Sequence, residues 1–283
     1  MKEEKSGDSK LKYVLKRLAF WGVVIACICL VSLYGITRLG VTEYTYETDK
    51  IEDGLDGFKI VQISDLHNAN FGKNNSKLMS MIEEQHPDII VITGDLFNTE
   101  GKKYKNSMNF VKQAVEICPV YYVTGNHELW MEKDDLDNVL RLLDEAGVII
   151  LNDESVIIEK DGAEFMLVGL DDASLDDGTL KSIIGDDKEH LKVVLAHEPQ
   201  YLDNYAASGA DLVLSGHAHG GQVRLPFVGA LYAPDQGVLP EYSHGTYFEG
   251  DTELILSRGL GTSVLPVRFL CDPEIVTIEL KCK

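Results

Sequence analysis

Two carboxylates, one amide and five imidazoles stand where their spacing invites metal chemistry. They are Asp65 and His67, Asp95, Asn126 and His127, His197, and His217 with His219, and they take up five of the eight histidines in the chain. Carboxylate oxygens mixed with imidazole nitrogens suit borderline divalent ions such as Mn, Fe or Zn. The set holds no thiolate, so a structural zinc knot is not expected. It also offers more donors than one tetrahedral ion takes, which points to two ions.

The elements that must position these groups are legible as apolar runs. Each group directly follows one: residues 58–64, 88–93, 120–124, 191–196 and 212–214. Continuous β-branched runs such as 88–93 (DIIVIT) are what buried parallel strands require. In open α/β sheets, residues just past the carboxyl ends of strands gather in one crevice. Segments from residue 65 to residue 219 are therefore expected to meet at one place. Helices are expected at 76–85, stopped by His86-Pro87, at 106–117, and at 134–146, where Leu136, Val139, Leu140 and Leu143 recur at helical spacing before Gly147. The stretch 41–48 (VTEYTYET) alternates like an edge strand, and Lys160-Asp161-Gly162 reads as a hairpin turn between strands 155–159 and 164–169. Further strands are expected near 222–225, 253–257 and 275–280. A βαβα first half followed by a β-rich second half predicts a layered α/β sandwich in one domain.

In this order the blocks resemble the calcineurin-like metallophosphoesterase superfamily, whose pattern runs DxH, GD, GNH[DE], a lone His and GHxH. Here it reads Asp65-Leu66-His67, Gly94-Asp95, Gly125-Asn126-His127-Glu128, His197-Glu198 and Gly216-His217-Ala218-His219, within about residues 58–220. The extension Gly220-Gly221-Gln222 (GHxHGGQ), the tail 257–262 (SRGLGT), Pro266, Arg268 and Pro273-Glu274-Ile275 are similar to the membrane-anchored bacterial branch. The resemblance implies an α/β fold, a layered α/β/β/α sandwich of the metallophosphoesterase type. It also implies one N-terminal transmembrane helix ahead of that domain. By the same resemblance Asp65, His67 and His219 bind a first metal, Asn126, His197 and His217 bind a second, and Asp95 bridges them. His127 is then a non-ligand that stabilises the transition state or protonates the leaving oxygen. The implied activity is a dinuclear phosphohydrolase, a phosphodiesterase or pyrophosphatase, in which a hydroxide bridging the ions attacks phosphorus. The physics agrees: a carboxylate can span two cations, and two cations acidify a shared water.

Alternatives remain at this level. The same metal pair cleaves monoesters, so a phosphomonoesterase is one. A non-catalytic envelope-binding protein of the same fold is another, although no ligand is missing from the pattern. An amidohydrolase would need more downstream histidines than His244. The substrate is expected to be a phosphate ester or a nucleotide-linked compound, lipid-borne compounds included, selected by loops 68–75, 97–106 and 225–244. Glycines 94, 125 and 216 are expected to let the backbone bend beside the metals. Glu128 and Glu198 read equally as partners of ligands or as solvated groups. His86, His190 and His244 read as ordinary structural residues. Arg258 and Arg268 read as strand supports ahead of phosphate contacts.

Composition sets the remaining bounds. The chain has 283 residues, 45% of them hydrophobic and 25% charged, which is the make-up of a folded protein. With 46 acidic against 26 basic residues the net charge is -20, which excludes general nucleic-acid binding as the main activity. Residues 1–17 hold six bases against three acids, and residues 18–36 carry no charge at all. That predicts a cytoplasmic basic tail (1–17), a transmembrane helix (18–36), a linker with an edge strand (37–57) and the metallophosphoesterase domain (58–283). The positive-inside rule then places the protein in the cell membrane as a single-pass protein, N-terminus in the cytoplasm and catalytic domain extracellular. A monomer is expected. A cleaved signal lacks a small-residue site, and the lipobox-like Val24-Ile25-Ala26-Cys27 is followed by more apolar residues. Cys271 and Cys282 flank an expected strand that holds them too far apart to bridge.

Overall fold

The structure, a computed structural model, describes residues 13–23, 26, 32, 35, 37–99, 104–176, 178–262 and 267–283. Its strands are β1 (Gly40–Thr48), β2 (Lys59–Ile63), β3 (Ile89–Thr93), β4 (Val120–Val123), β5 (Ile149–Ile150), β6 (Glu154–Lys160), β7 (Ala163–Gly169), β8 (Leu191–Leu195) and β9 (Leu212–Ser215). Four two-residue strands follow: β10 (Arg224–Leu225), β11 (Gly229–Ala230), β12 (Tyr232–Ala233) and β13 (Gly237–Val238). The chain closes with β14 (Gly245–Glu249), β15 (Thr252–Leu256) and β16 (Glu274–Cys282). The helices are α1 (Ser76–Glu83), α2 (Lys105–Ala114), α3 (Asn126–Leu129), α4 (Lys133–Glu145), α5 (Thr179–Ile184) and α6 (Leu202–Ser208).

Two six-stranded sheets form, in the orders β1-β16-β2-β3-β4-β5 and β14-β15-β9-β8-β7-β6. Strands β2 to β5 run parallel, as do β7, β8, β9 and β15. The first strand, β1, pairs in parallel with β16 over its whole length and forms one edge of the first sheet.

Side-chain alternation decides the layering. On β2, Ile60 enters the core between the sheets while its neighbour Val61 enters the outer core beneath the helices. On β8, Leu191, Val193 and Leu195 face the first sheet, and Val194 faces α5 and α6. With both faces covered, these strands have no polar side to show, which is why they read as unbroken apolar runs. Leu78 and Ile82 of α1, Phe110 of α2, and Val139 and Leu143 of α4 cover the first sheet. Leu180 of α5 and Leu202 and Tyr205 of α6 cover the second. The result is an α/β/β/α stack, in which each fully buried large apolar side chain contributes about 1.5–3 kcal/mol. Helices α5 and α6 have six and seven residues and were hidden within a half that reads as strand-rich. At that length the helical period barely repeats.

One expectation is corrected. Among the described residues no helix is long and apolar enough to cross a membrane. The single-pass, extracellular placement drawn from residues 18–36 therefore falls. Within the run Ser32 is buried, and its Oγ donates to the Arg268 carbonyl at 3.1 Å. Earlier in the run Leu18, Phe20, Trp21 and Val23 are exposed. The other residues of the run (24, 25, 27–31, 33, 34 and 36) lie outside the described residues, as do residues 1–12 and Pro266.

Candidate metal centre

The carboxyl ends of β2, β3, β4, β8 and β9 open onto one crevice, and all eight sequence-selected side chains meet there. The backbone reaches it through unusual conformations. Asp65, His67, Asp95, His217 and His219 all have positive φ, between 46° and 69°. Non-glycine residues rarely adopt that region, and such strain collects where function over-determines the backbone. The turns lock together: Asp65 N–H donates to the Gly94 carbonyl at 3.1 Å, and His67 N–H to the Asp95 carbonyl at 3.0 Å. Two glycines make this approach possible. A Cβ on Gly216 would strike Ser64 Oγ and the Asp65 carboxylate, and one on Gly94, at φ +84°, would strike the His197 ring.

The donor atoms form two adjoining groups. In the first, His67 Nε2 lies 3.2 Å from His219 Nε2 and 3.4 Å from Asp95 Oδ2, and His219 Nε2 lies 3.5 Å from Asp65 Oδ1. These four buried residues offer ligand atoms within 4.8 Å of one another, a candidate metal-binding cluster. In the second, Asn126 Oδ1 is 3.1 Å from His197 Nε2 and 3.0 Å from His217 Nδ1. His197 Nε2 is also 3.3 Å from Asp95 Oδ2. One oxygen of Asp95 thus faces both groups.

Three of the imidazoles are in a state that suits a cation. Burial pushes His67 and His217 down to about 4 and drives His219 well below the usual imidazole range, so these rings are neutral and keep a lone pair. At His197 burial would lower the pKa, but the Asp95 carboxylate outweighs it and holds the ring well above the usual imidazole range. Burial pushes Asp65 up to about 6. Burial would also raise Asp95, but His197, with His67 and His127, outweighs it and holds that carboxyl well below its ordinary value. His67 and His219 turn Nε2 atoms toward each other while their buried Nδ1 atoms have no hydrogen-bond partner. Lone pairs crowded around a shared point are what a divalent ion satisfies, so the residues present fit a divalent metal.

His127 stands beside the donors. Its backbone N–H donates to Asp95 Oδ1 at 2.9 Å, and its Nε2 is 4.0 Å from Asp95 Oδ2. The ring packs edge-on to His67 and tilted against Trp130, with centroids at 4.6 and 4.8 Å. It faces a cleft of about 410 Å3 that is also lined by Trp130, Gln222, Tyr232, Pro234 and Asp235.

The neighbouring residues now have assignable roles. Glu128 is fully buried and accepts backbone N–H bonds from Asp95, Phe97 and Gly125, each at 2.9 Å, so it ties the ends of β3 and β4 together. Glu198 is partly buried and accepts from the Gln200 side chain. Arg268 is fully buried and donates to the Gly261 and Arg258 carbonyls, while Arg258 pairs with Glu274; both support the tail. His190 bonds to Asp187 at 2.6 Å, away from the centre. Sequence reasoning missed Asp235, whose Oδ2 lies 2.9 Å from His217 Nε2. No motif marks that position; the one sequence signal was its loop, 225–244, singled out as substrate-facing.

Residues 58–221 match the family model of the calcineurin-like phosphoesterases. The metallophosphoesterase YkuE of Bacillus subtilis is 32% identical over 262 residues, 88% of this chain and 90% of that one. A metallophosphoesterase of Aquifex aeolicus is 32% identical over 265 residues, covering 87% and 93%. The phosphodiesterase YaeI of Escherichia coli is 31% identical over 235 residues, covering 81% and 84%.

Proposed function

Since this chain belongs to the calcineurin-like phosphoesterases, we propose that it is a dinuclear metal-dependent hydrolase of phosphodiester or pyrophosphate linkages. The observation that carries this reading is the position of Asp95 Oδ2, 3.4 Å from His67 Nε2 and 3.3 Å from His197 Nε2. Asp65, His67 and His219 hold one ion, Asn126, His197 and His217 hold the other, and Asp95 serves both. Two ions of the Mn, Fe or Zn type, when bound, supply neutralisation of phosphate oxygens and an acidified water.

The chain's own groups do the rest. His127, next to the donors and facing the cleft, stabilises charge on the transferring phosphoryl group or gives a proton to the leaving oxygen. Asp95 Oδ1 accepts the His127 backbone N–H and so holds that residue in register with the donors. Trp130 and Tyr232 offer exposed aromatic faces at the cleft, suited to a flat group such as the base of a nucleotide-linked substrate. Among the described residues lining the cleft there is no Lys or Arg. A monoester dianion would find no side-chain cation there, whereas a diester carries one charge fewer. That favours diester over monoester hydrolysis.

The test is turnover of bis-p-nitrophenyl phosphate, p-nitrophenyl phosphate and a nucleoside diphosphate ester by the full chain reconstituted with Mn, Fe or Zn. The diester is expected to turn over faster than the monoester. Failure of both nitrophenyl esters and of the nucleoside diphosphate ester with every metal would reject the reading, and a clear monoester preference would replace it with the phosphomonoesterase.

A further inference from the structure

Asp235 lies beyond residues 58–221 that the family model matches, yet it reaches a residue of the donor cluster. His217 is 1% exposed and turns Nδ1 toward Asn126 Oδ1 at 3.0 Å and His197 Nε2 at 3.3 Å. Its other nitrogen, Nε2, lies 2.9 Å from Asp235 Oδ2. A neutral imidazole carries one N–H. A carboxylate at Nε2 draws the proton to that side and leaves the Nδ1 lone pair facing the donors.

The turn alone does not require a carboxylate there, since aspartate is only one of several residues it accepts. Asp235 is the middle of a tight turn between β12 and β13, closed by Gln236 N–H on the Pro234 carbonyl at 2.6 Å, and its φ is 55°. Glycine fits such a conformation better. The turn is also secured independently, because the Gln236 side chain exchanges bonds of 2.8 and 2.9 Å with the Tyr242 backbone. The same hairpin carries Tyr232 and Pro234 into the cleft wall.

We propose that Asp235 is a positioning residue: its carboxylate fixes His217 as the Nε2–H tautomer, and the same bond seats the Tyr232–Val238 hairpin beside the centre. This rests on the reading of His217 as a ligand of the second ion. Glu198, His217 and Asp235 also offer donor atoms within 4.8 Å of one another. If Asp235 instead ligated an ion itself, its removal would abolish a distinct equivalent of metal.

The experiment is titration of the chelator-stripped full chain with Mn or Zn by calorimetry, with elemental analysis, for wild type, Asp235→Gly and Asp235→Asn. Wild type is expected to take two equivalents. Asp235→Gly, which suits the turn, is expected to keep the first and bind the second ~10–100-fold more weakly. Excess metal should restore its kcat, a rescue that a merely structural role would not give. Asp235→Asn, whose amide oxygen still accepts from Nε2–H, should fall between. Unchanged affinity for the second ion in Asp235→Gly overturns the proposal, as does a third equivalent in wild type that this variant lacks. Nitrogen NMR of His217 in the stripped wild-type protein needs no variant: Nε2–H supports the proposal and Nδ1–H overturns it. Uptake of fewer than two equivalents by wild type would instead break the dinuclear reading beneath it.

Discussion

The rings of His67 and His219 lie stacked, 20° from parallel with centroids 5.0 Å apart, whereas those of His197 and His217 meet edge-on at 81° and 5.1 Å. The first pair belongs to the more tightly packed half of the centre, which reaches the cleft through His219. Asp65 there is wedged against Ser64, Gly216 and Gly259, and the outer nitrogens of both rings have no partner. Packing orients the two rings of that half, while Asp65 is held by the His217 backbone N–H at 3.0 Å. The second pair belongs to a half that also adjoins the cleft, and its rings are aimed by bonds at their far nitrogens. His197 Nδ1 donates to the Thr93 carbonyl at 2.7 Å, and His217 Nε2 meets Asp235 at 2.9 Å. Two ways of holding an imidazole thus serve one centre. A packed half is vulnerable to added volume, and a bonded half is vulnerable to lost partners.

Asp95→Asn strikes both halves at once and should have the largest effect. Both ions should be lost, with turnover falling beyond the ~10²–10⁴-fold that one general acid accounts for. Elemental analysis checks it, and full occupancy in the variant would dissolve the idea of a shared carboxylate. His127→Ala should come next, with both ions retained and turnover reduced by ~10²–10⁴-fold. Loss of either ion in that variant would place His127 among the ligands. Gly216→Ala tests the packed half. Its added Cβ must displace Ser64 or Asp65, and overpacking of this kind destabilises by about 1–3 kcal/mol. The ion of the packed half should weaken first in calorimetry, and the opposite order would reverse the comparison.

Trp130→Ala removes a cleft wall and one packing partner of the His127 ring. Loss of an aromatic contact worth about 0.5–1.5 kcal/mol should raise KM several-fold and leave metal content unchanged. The smallest effect is expected from His190→Gln, remote from both halves. The hydrogen bond to Asp187 raises the His190 pKa above its ordinary 6.5. A raised histidine contributes stability below the unfolded value and loses it as pH rises through the folded one. The difference in melting temperature between wild type and His190→Gln should therefore shrink from pH 6 to pH 8, and more so at low salt. A constant difference would remove the titrating pair as its cause.

The two halves also differ in how far they could be read from the chain. Asp65, His67, Asp95 and His219 follow apolar runs at once, and so do Asn126, His197 and His217. A strand end is a local feature, and the chemistry of the residue after it is printed in the sequence. Helix α4 was legible for the same reason, because Leu136, Val139, Leu140 and Leu143 repeat over several turns. Glu128 stood undecided between solvent and a ligand-holding role until its three backbone donors, two of them from around β3, were in place. Asp235 was invisible because its partner His217 belongs to another segment and no pattern links them. The run 18–36 misled because hydropathy measures a transfer tendency and does not fix the structure a segment takes.

The amino-acid order alone determined which donor types this protein owns and that they cap buried strands, since side-chain chemistry and apolar periodicity are properties of short segments. Only the tertiary structure decided which carboxylate faces both halves, which nitrogen of each ring is free, and that Arg268 serves the tail. Those outcomes depend on burial and on partners 10 to 152 residues away, as for Arg268 with Arg258 and for His217 with Asp65. Such contacts are absent from any local stretch and exist only once the two sheets have closed on each other.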